Sequence, residues 1–408
     1  MPSRFVIRAP HAFDGERALP GGASVLVDDG RIVGVEPASA PLPDGWPVAD
    51  FPGCAVLPGL IDVHVHLCGD AGPGALERLP AFGDGELAAV IDDGLRRQLA
   101  AGVTTVRDLG DRRWAVVQLR DAATPGLPTI LASGPPITSV RGHCWHMGGE
   151  AAGADALRAA VRERAERGVD VVKVMAAGGG TTAGSDILRC QFTTEELRVV
   201  VDEAHAAGLP VTAHSHALAG VEQALAAGAD GIEHCTCLTA SGVRATDEVV
   251  EALARRQVAV CPTLGALPGL PPPPPLVGLL ARAGLTPEQG REARIRLVAT
   301  LYRGGVTLTS GTDAGIGPPK PHGVLPHAVA ALRESDVPAA AALASATAVA
   351  ARCCGIADRT GRLRAGLAAD LLVVHGDPLA DVGALERVAA VVVRGERVDA
   401  GAVPGPRS

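Results

Sequence analysis

Residues 60–66 read LIDVHVH, an apolar run of strand length that carries two histidines. His64 and His66 are two positions apart, and in a strand that spacing sends both side chains to one side. In a barrel, that side is the interior. Seven further apolar runs follow: TTVRDL from Thr104, TILASG from Thr129, VDVVKVM from Val169, PVTAHS from Pro210, GIEHC from Gly231, VAVCPTL from Val258 and VTLTSGTD ending at Asp313. Each leads into a Gly-rich or polar segment and, usually, an amphipathic helix such as EELRVVVDEAHAAG, which Thr193 and Glu196 open as a capping box. Eight strand–helix repeats within roughly 250 to 300 residues match a (β/α)8 TIM barrel of the α/β class. A doubly wound open sheet explains the alternation too, but it predicts a GxGxxG turn after an early strand, and none is present.

Both ends of the chain read differently from the middle. FVIRAP, SVLVDD and RIVGVEP near the start are short strands separated by Gly- and Asp-bearing turns, and LLVVHG and RVAAVVVRGERV near the end are similar. The expectation is a small β-sandwich module formed by both termini, residues 1–57 and 352–408, around a barrel of residues 58–351. The proline run PGLPPPPPL, residues 268–276, reads as a stiff surface loop after the seventh strand in preference to a polyproline ligand. The glycine-rich AAGGGTTAGSD lacks the GK[ST] of a phosphate loop and reads as a loop over the active site.

Composition removes several function classes. The 408 residues are 47% hydrophobic and 20% charged, which supports a large core and excludes wholesale disorder. Aromatics make up 2% and the formal charge is -8, which argues against nucleic-acid binding, since that needs basic surface and stacking rings. Nine cysteines at irregular spacing, an odd count without a CxxC pair, point to a reduced, cytoplasmic setting. Mean hydropathy is +0.23, yet the most apolar stretch, from Pro338, is mostly Ala with Ser and Thr interleaved. It falls short of the roughly 20 strongly apolar residues that a membrane span requires. A soluble protein without membrane or nucleic-acid partners is expected, and homo-oligomerisation is left open.

Polar residues sit where barrel enzymes build their sites, at the C-terminal ends of strands. His64, His66, His214, His234 and Asp313 lie there on four different strands, and Lys173 lies within VDVVKVM. One strand histidine is more often a hydrogen-bonded core residue than a ligand. Convergence of five such residues fits Zn2+ or another first-row divalent ion. A buried unpaired ammonium is costly, so Lys173 either pairs with a loop carboxylate such as Asp186 or reacts with CO2 to give a carbamate able to bridge two metals.

PGLIDVHVHL, GVTTVRDLG, AHSHA, GIEHCT, SGTDAG and GRLRAGLAADLLVV, in that order, resemble the signatures of the metal-dependent amidohydrolase superfamily over nearly the whole chain. GHCWHMGGE, VVKVMAAGGG and QFTTEEL narrow the resemblance to the imidazolonepropionase-related branch that contains Xaa-Pro dipeptidases (prolidases). The resemblance implies that His64, His66 and Asp313 hold one metal, that His214 and His234 hold a second, and that a carboxylated Lys173 bridges both. It implies a metal-bridging hydroxide as nucleophile, with Asp313 shuttling its proton to the leaving nitrogen. The expected reaction is cleavage of the amide bond of a carboxylate-bearing dipeptide or N-acyl amino acid. The same site would also suit a cyclic-amide hydrolase or heterocycle deaminase; a non-catalytic binding protein of this fold predicts missing ligands. Arg141, His143, His216 and His322 are the candidate substrate-binding residues. Two departures, Arg141-Gly142-His143 for GGH and Cys235 within IEHCT, bear on the substrate and leave the ligand set intact.

Overall fold

The structure, a computed structural model, describes residues 3–122, 124–271 and 274–398. The Leu60–Val65 strand is buried along its whole length and pairs in parallel with Val103–Asp108, which pairs in turn with Thr129–Ala132. A second parallel set runs Val172–Met175, Val211–Ala217, Gly231–Thr239 and Ala259–Cys261 in sequence order. Helices such as Asp84–Ala100, Ala154–Glu166, Thr194–Ala206 and Leu218–Ala227 alternate with these strands. The fold is mixed α/β. Thr194–Ala206 opens with the expected capping box: the Thr193 hydroxyl accepts from the Glu196 amide, and the Glu196 carboxylate accepts from the Thr193 amide.

The named strands do not form one continuous ladder. The two parallel sets are joined through Ile137, whose amide donates to the Lys173 carbonyl and whose carbonyl accepts from Met175, both at 2.8 Å. On the other side, residues 306–314 lie between the last strand and the first. Thr309 donates to the Val260 carbonyl at 2.9 Å, and His66 donates to the Ala314 carbonyl at 2.8 Å. The run VTLTSGTD therefore occupies the expected place but makes isolated bridges, at Leu308 and Ala314, in place of a regular strand. The cause is local. The Thr312 amide is taken by the buried Asp62 carboxylate at 3.0 Å, and Asp313 adopts a left-handed conformation with φ 62.

Asp62 also accepts from the Thr312 hydroxyl, the His64 amide and the Gln98 side chain. A buried carboxylate needs such partners to offset its lost hydration. Here they tie the first strand to residues 312–313 from behind the site.

The ends of the chain meet. Cys54–Pro58 pairs antiparallel with Leu371–His375, which pairs with Val388–Val393, so one sheet contains strands from both termini. A second sheet contains Arg4–Ala9, Ala23–Asp28, Arg31–Pro37 and Val48–Asp50. Phe5, Ile7, Val25 and Ile32 from that sheet share a buried apolar cluster with Val56, Leu371, Val373 and Val392 from the first. The proline run is only partly described: Pro272 and Pro273 lie outside the described residues, and Pro274 already begins the helix Pro274–Arg282. All nine cysteines are free. Among the described residues, no helix is long and apolar enough to cross a membrane.

Gly59 joins the Cys54–Pro58 strand to the Leu60–Val65 strand, and a methyl group there would lie 2.2 Å from the Thr104 hydroxyl. Thr104 is β-branched and fully buried, so its side chain has little room to yield. Gly59→Ala should lower unfolding free energy by about 1–3 kcal/mol, measured by urea titration. An unchanged midpoint would show that the two strands separate more easily than their packing implies.

Candidate metal centre

One cavity of about 100 Å³ is lined by six imidazoles, His64, His66, His143, His214, His216 and His234, together with Lys173 and Asp313. The five ligand candidates named from strand ends and the lysine are thus brought together. Ring centroids are close: His64 to His66 5.3 Å, His64 to His234 5.2 Å, His214 to His234 4.5 Å and His216 to His234 4.3 Å. The ligand atoms of His64, His66 and Asp313 lie within 4.8 Å of one another, as do those of His214, His216 and His234. His216, expected beside substrate, therefore also sits within reach of a metal ion.

Each ring is fixed through one nitrogen. His64 Nδ1 is 2.7 Å from Glu233, His66 Nδ1 is 3.1 Å from the Gly110 carbonyl, and His234 Nδ1 is 2.8 Å from the Thr263 hydroxyl. His216 Nδ1 lies 2.9 Å from the Thr236 hydroxyl, and His214 uses Nε2 toward the Gly178 carbonyl at 3.3 Å. Such contacts fix ring orientation and leave the other nitrogen able to face a metal ion. The Gly110 carbonyl is itself placed by Asp108, which accepts from the Leu67 and Gly110 amides.

Electrostatics agree with that division. Burial pushes His64 down to about 4, and His143 and His216 down to about 3. Burial likewise holds His214 and His234 well below the ordinary imidazole range. Neutral imidazoles are the metal-binding form. Burial alone would raise the Asp313 carboxyl, but Lys320 and the His66 and His64 rings hold it well below the usual carboxylate range. Three residues lining the cavity carry a buried atom without a hydrogen-bond partner: His64 Nε2, Lys173 Nζ and Arg294 Nε. Asp186 does not satisfy the lysine, because it is exposed and its carboxylate accepts from the Leu188 amide. Imidazole nitrogens with a free face, one carboxylate and an orphaned amine form a donor set that fits divalent metal.

The backbone is bent to make this site. His234, Cys235, Thr263 and Asp313 all have left-handed φ values, 68, 45, 47 and 62. Strain of this kind persists only where the surroundings enforce it. It also explains a residue that sequence reading missed. Alternation puts Glu233 and His234 on opposite sides of a strand, but the left-handed turn at His234 lets both serve the site. Glu233 is 1% exposed and also accepts from Arg107 at 3.0 Å and the Thr212 hydroxyl at 2.7 Å. Arg294 and Lys320 were missed because neither lies in a strand-end motif, and Thr263, at the end of VAVCPTL, was not singled out; all three line the cavity.

The substrate candidates divide. His143 lines the cavity and is held by Thr182 at 2.9 Å, from the glycine-rich loop that also contributes Gly180 and Thr181. Arg141 does not line it: the side chain is exposed and its guanidinium lies over the Trp145 ring at 3.9 Å. His322 is buried against the Gly69 carbonyl at 3.1 Å and lines a different cavity with Arg97, Pro326 and Leu385.

Glu233→Gln should lower unfolding free energy by about 3 kcal/mol, because Arg107 would keep its charge indoors without a carboxylate. Glu233→Gln with Arg107→Met should recover much of the loss in the same denaturation assay. Full additivity of the two changes would contradict the pairing.

A family model described as "Amidohydrolase family" matches residues 55–398. The ochratoxinase of Aspergillus niger is 28% identical over 388 residues, spanning 86% of this chain and 77% of that protein. The imidazolonepropionase of Deinococcus radiodurans is 29% identical over 396 residues, spanning 90% and 89%. A crystal structure of a Xaa-Pro dipeptidase with methionine bound in its active site superposes with a TM-score of 0.82 at 27% identity, covering 97% of this chain and 100% of that one. With its histidine clusters in place and its relatives hydrolases of carbon–nitrogen bonds, the chain belongs to the amidohydrolase family and is such a hydrolase itself.

Proposed function

We propose that this enzyme cleaves the amide bond of a carboxylate-bearing dipeptide or N-acyl amino acid at a centre of two divalent ions held by His64, His66, His214, His234, Asp313 and a carboxylated Lys173. The observation that carries this reading is the unpartnered Lys173 amine, 1% exposed, on the wall of a cavity lined by six imidazoles. Burial lowers its basicity, and a neutral amine is the form that takes up CO2. The carbamate would replace a costly buried cation with an anion between the two histidine groups. Imidazole and carboxylate donors suit Zn2+.

Bound there, the ions would supply an activated water near neutral pH and polarise the scissile carbonyl. The side chains have separate tasks. Asp313, kept ionised by its neighbours, receives the proton of the attacking water and passes it to the leaving nitrogen. His143 and His216 border the same space and hold the substrate's polar atoms. The apolar Met175, Ile187 and Ile316 line the cavity beside them and receive an aliphatic side chain. A substrate that carries a free carboxylate accords with the dipeptidase relative, whose active site holds the amino acid methionine.

The scaffold belongs to the same reading. Backbone hydrogen bonds through Ile137 and residues 306–314 support a closed (β/α)8 barrel of residues 58–351. The shared apolar cluster supports a small β-sandwich of residues 1–57 and 352–408 beside it. Opening of a cyclic amide is the second reading, favoured by the likeness to imidazolonepropionase.

Asp313→Asn tests the assignment. The variant should retain most of its bound metal yet lose kcat by about 10²–10⁴-fold on any amide the wild type cleaves. Metal analysis and amino-acid release assays measure the two effects. A fully active variant would remove Asp313 from the proton path, and ring opening without amino-acid release would favour the second reading.

A further inference from the structure

The cavity carries more positive charge than amide hydrolysis at a metal centre uses. Apart from Lys173, its walls present Arg294 and Lys320 against one carboxylate, Asp313. Lys320 donates to Asp313 at 3.3 Å. Arg294 has no carboxylate partner among the described residues. Its guanidinium donates to the Pro262 carbonyl, to the Thr263 carbonyl at 3.4 Å and to the Thr263 hydroxyl at 3.3 Å, and its Nε is buried without a partner. Guanidinium presents a planar fork of donors suited to two carboxylate oxygens, and neutral carbonyls do not match its charge. Divalent ions nearby would add to the positive charge.

Two elements deliver these cations to one point. Arg294 comes from the Pro287–Arg303 helix, and Lys320 from the loop beyond Asp313. Lys320 reaches the same Thr263 carbonyl at 3.2 Å, so the two charged heads lie side by side. The Thr263 hydroxyl in turn holds His234. The cations therefore stand one residue from the proposed metal centre, with Leu276 and Ile316 on the same cavity wall. Thr263 is β-branched and left-handed, an unfavourable conformation that this convergence holds in place. Arg141 faces away, stacked on Trp145.

We infer that Arg294, with Lys320 beside it, is the subsite that binds the free carboxylate of the substrate and so selects amino-acid amides that end in an acid. The inference rests on the hydrolysis reading above and names its specificity determinant.

The experiment compares metal-loaded wild type with Arg294→Met, Arg294→Lys and Lys320→Met. The substrates are N-acetyl-L-amino acids and Xaa-Pro dipeptides, each paired with its C-terminal primary amide, and calorimetric titration with L-methionine gives an independent readout. Wild type should prefer the acids. Arg294→Met should lose about 10- to 100-fold in kcat/KM on acids, chiefly through KM, with amides changed no more than about threefold. Arg294→Lys should restore part of the loss, Lys320→Met should erode the preference in the same direction, and L-methionine affinity should fall in parallel. An acid-to-amide ratio that stays at the wild-type value in both Arg294→Met and Lys320→Met overturns the subsite. Wild type that cleaves the panel without preferring acids also overturns it, while amide hydrolysis stands. Wild type that cleaves nothing in the panel defeats the hydrolysis reading, and the titration then decides the subsite: L-methionine that fails to bind, or binds Arg294→Met undiminished, overturns it.

Discussion

Six imidazoles, two cations, one buried amine and one carboxylate face a single small cavity in a largely aliphatic interior. Burying polar groups in such surroundings is unfavourable unless each finds a partner. The Glu233 carboxylate answers a central part of that demand. It accepts from His64, Arg107 and Thr212, which stand on three other strands. Burial alone would raise its carboxyl, but His64 and Arg107 hold it far below the usual range. One charge thus orients the His64 ring and neutralises the half-buried Arg107 beneath the site.

The same demand shapes the backbone. Regular strands would consume the amides and carbonyls of the strand ends in ladder bonds. Left-handed turns at His234, Thr263 and Asp313 interrupt or replace regular ladder geometry there and release some of those groups. The Thr263 carbonyl is then free to receive Arg294 and Lys320, and the Thr312 amide to reach Asp62. Conformational strain of about 1–3 kcal/mol per residue is tolerated where several contacts fix each position at once.

Much of this was legible in the sequence, and the remainder for physical reasons was not. Position near strand ends singled out His64, His66, Lys173, His214, His234 and Asp313, and the structure gathers all six around one cavity. The Thr193 capping box was legible because both partners lie within four residues. Glu233 was hidden because the left-handed turn after it defeats alternation. Arg294 and Lys320 were hidden because a helix and a loop bring them to the site, and no local pattern records that approach. Arg141 misled in the opposite sense: it neighbours His143 in sequence, yet its own left-handed conformation accompanies a side chain stacked outward on Trp145. The run ending at Asp313 kept its place but lost regular strand geometry to the Asp62 carboxylate.

The account depends on Lys173 as the bridge of a two-ion centre. The most direct test is divalent metal content per chain, on protein purified with bicarbonate and without chelators. About two ions per chain, falling when Lys173 is replaced by Met, is the predicted result, since the bridge would contribute to both positions. One ion per chain, unchanged by that replacement, would contradict it and leave Lys173 as a buried structural residue.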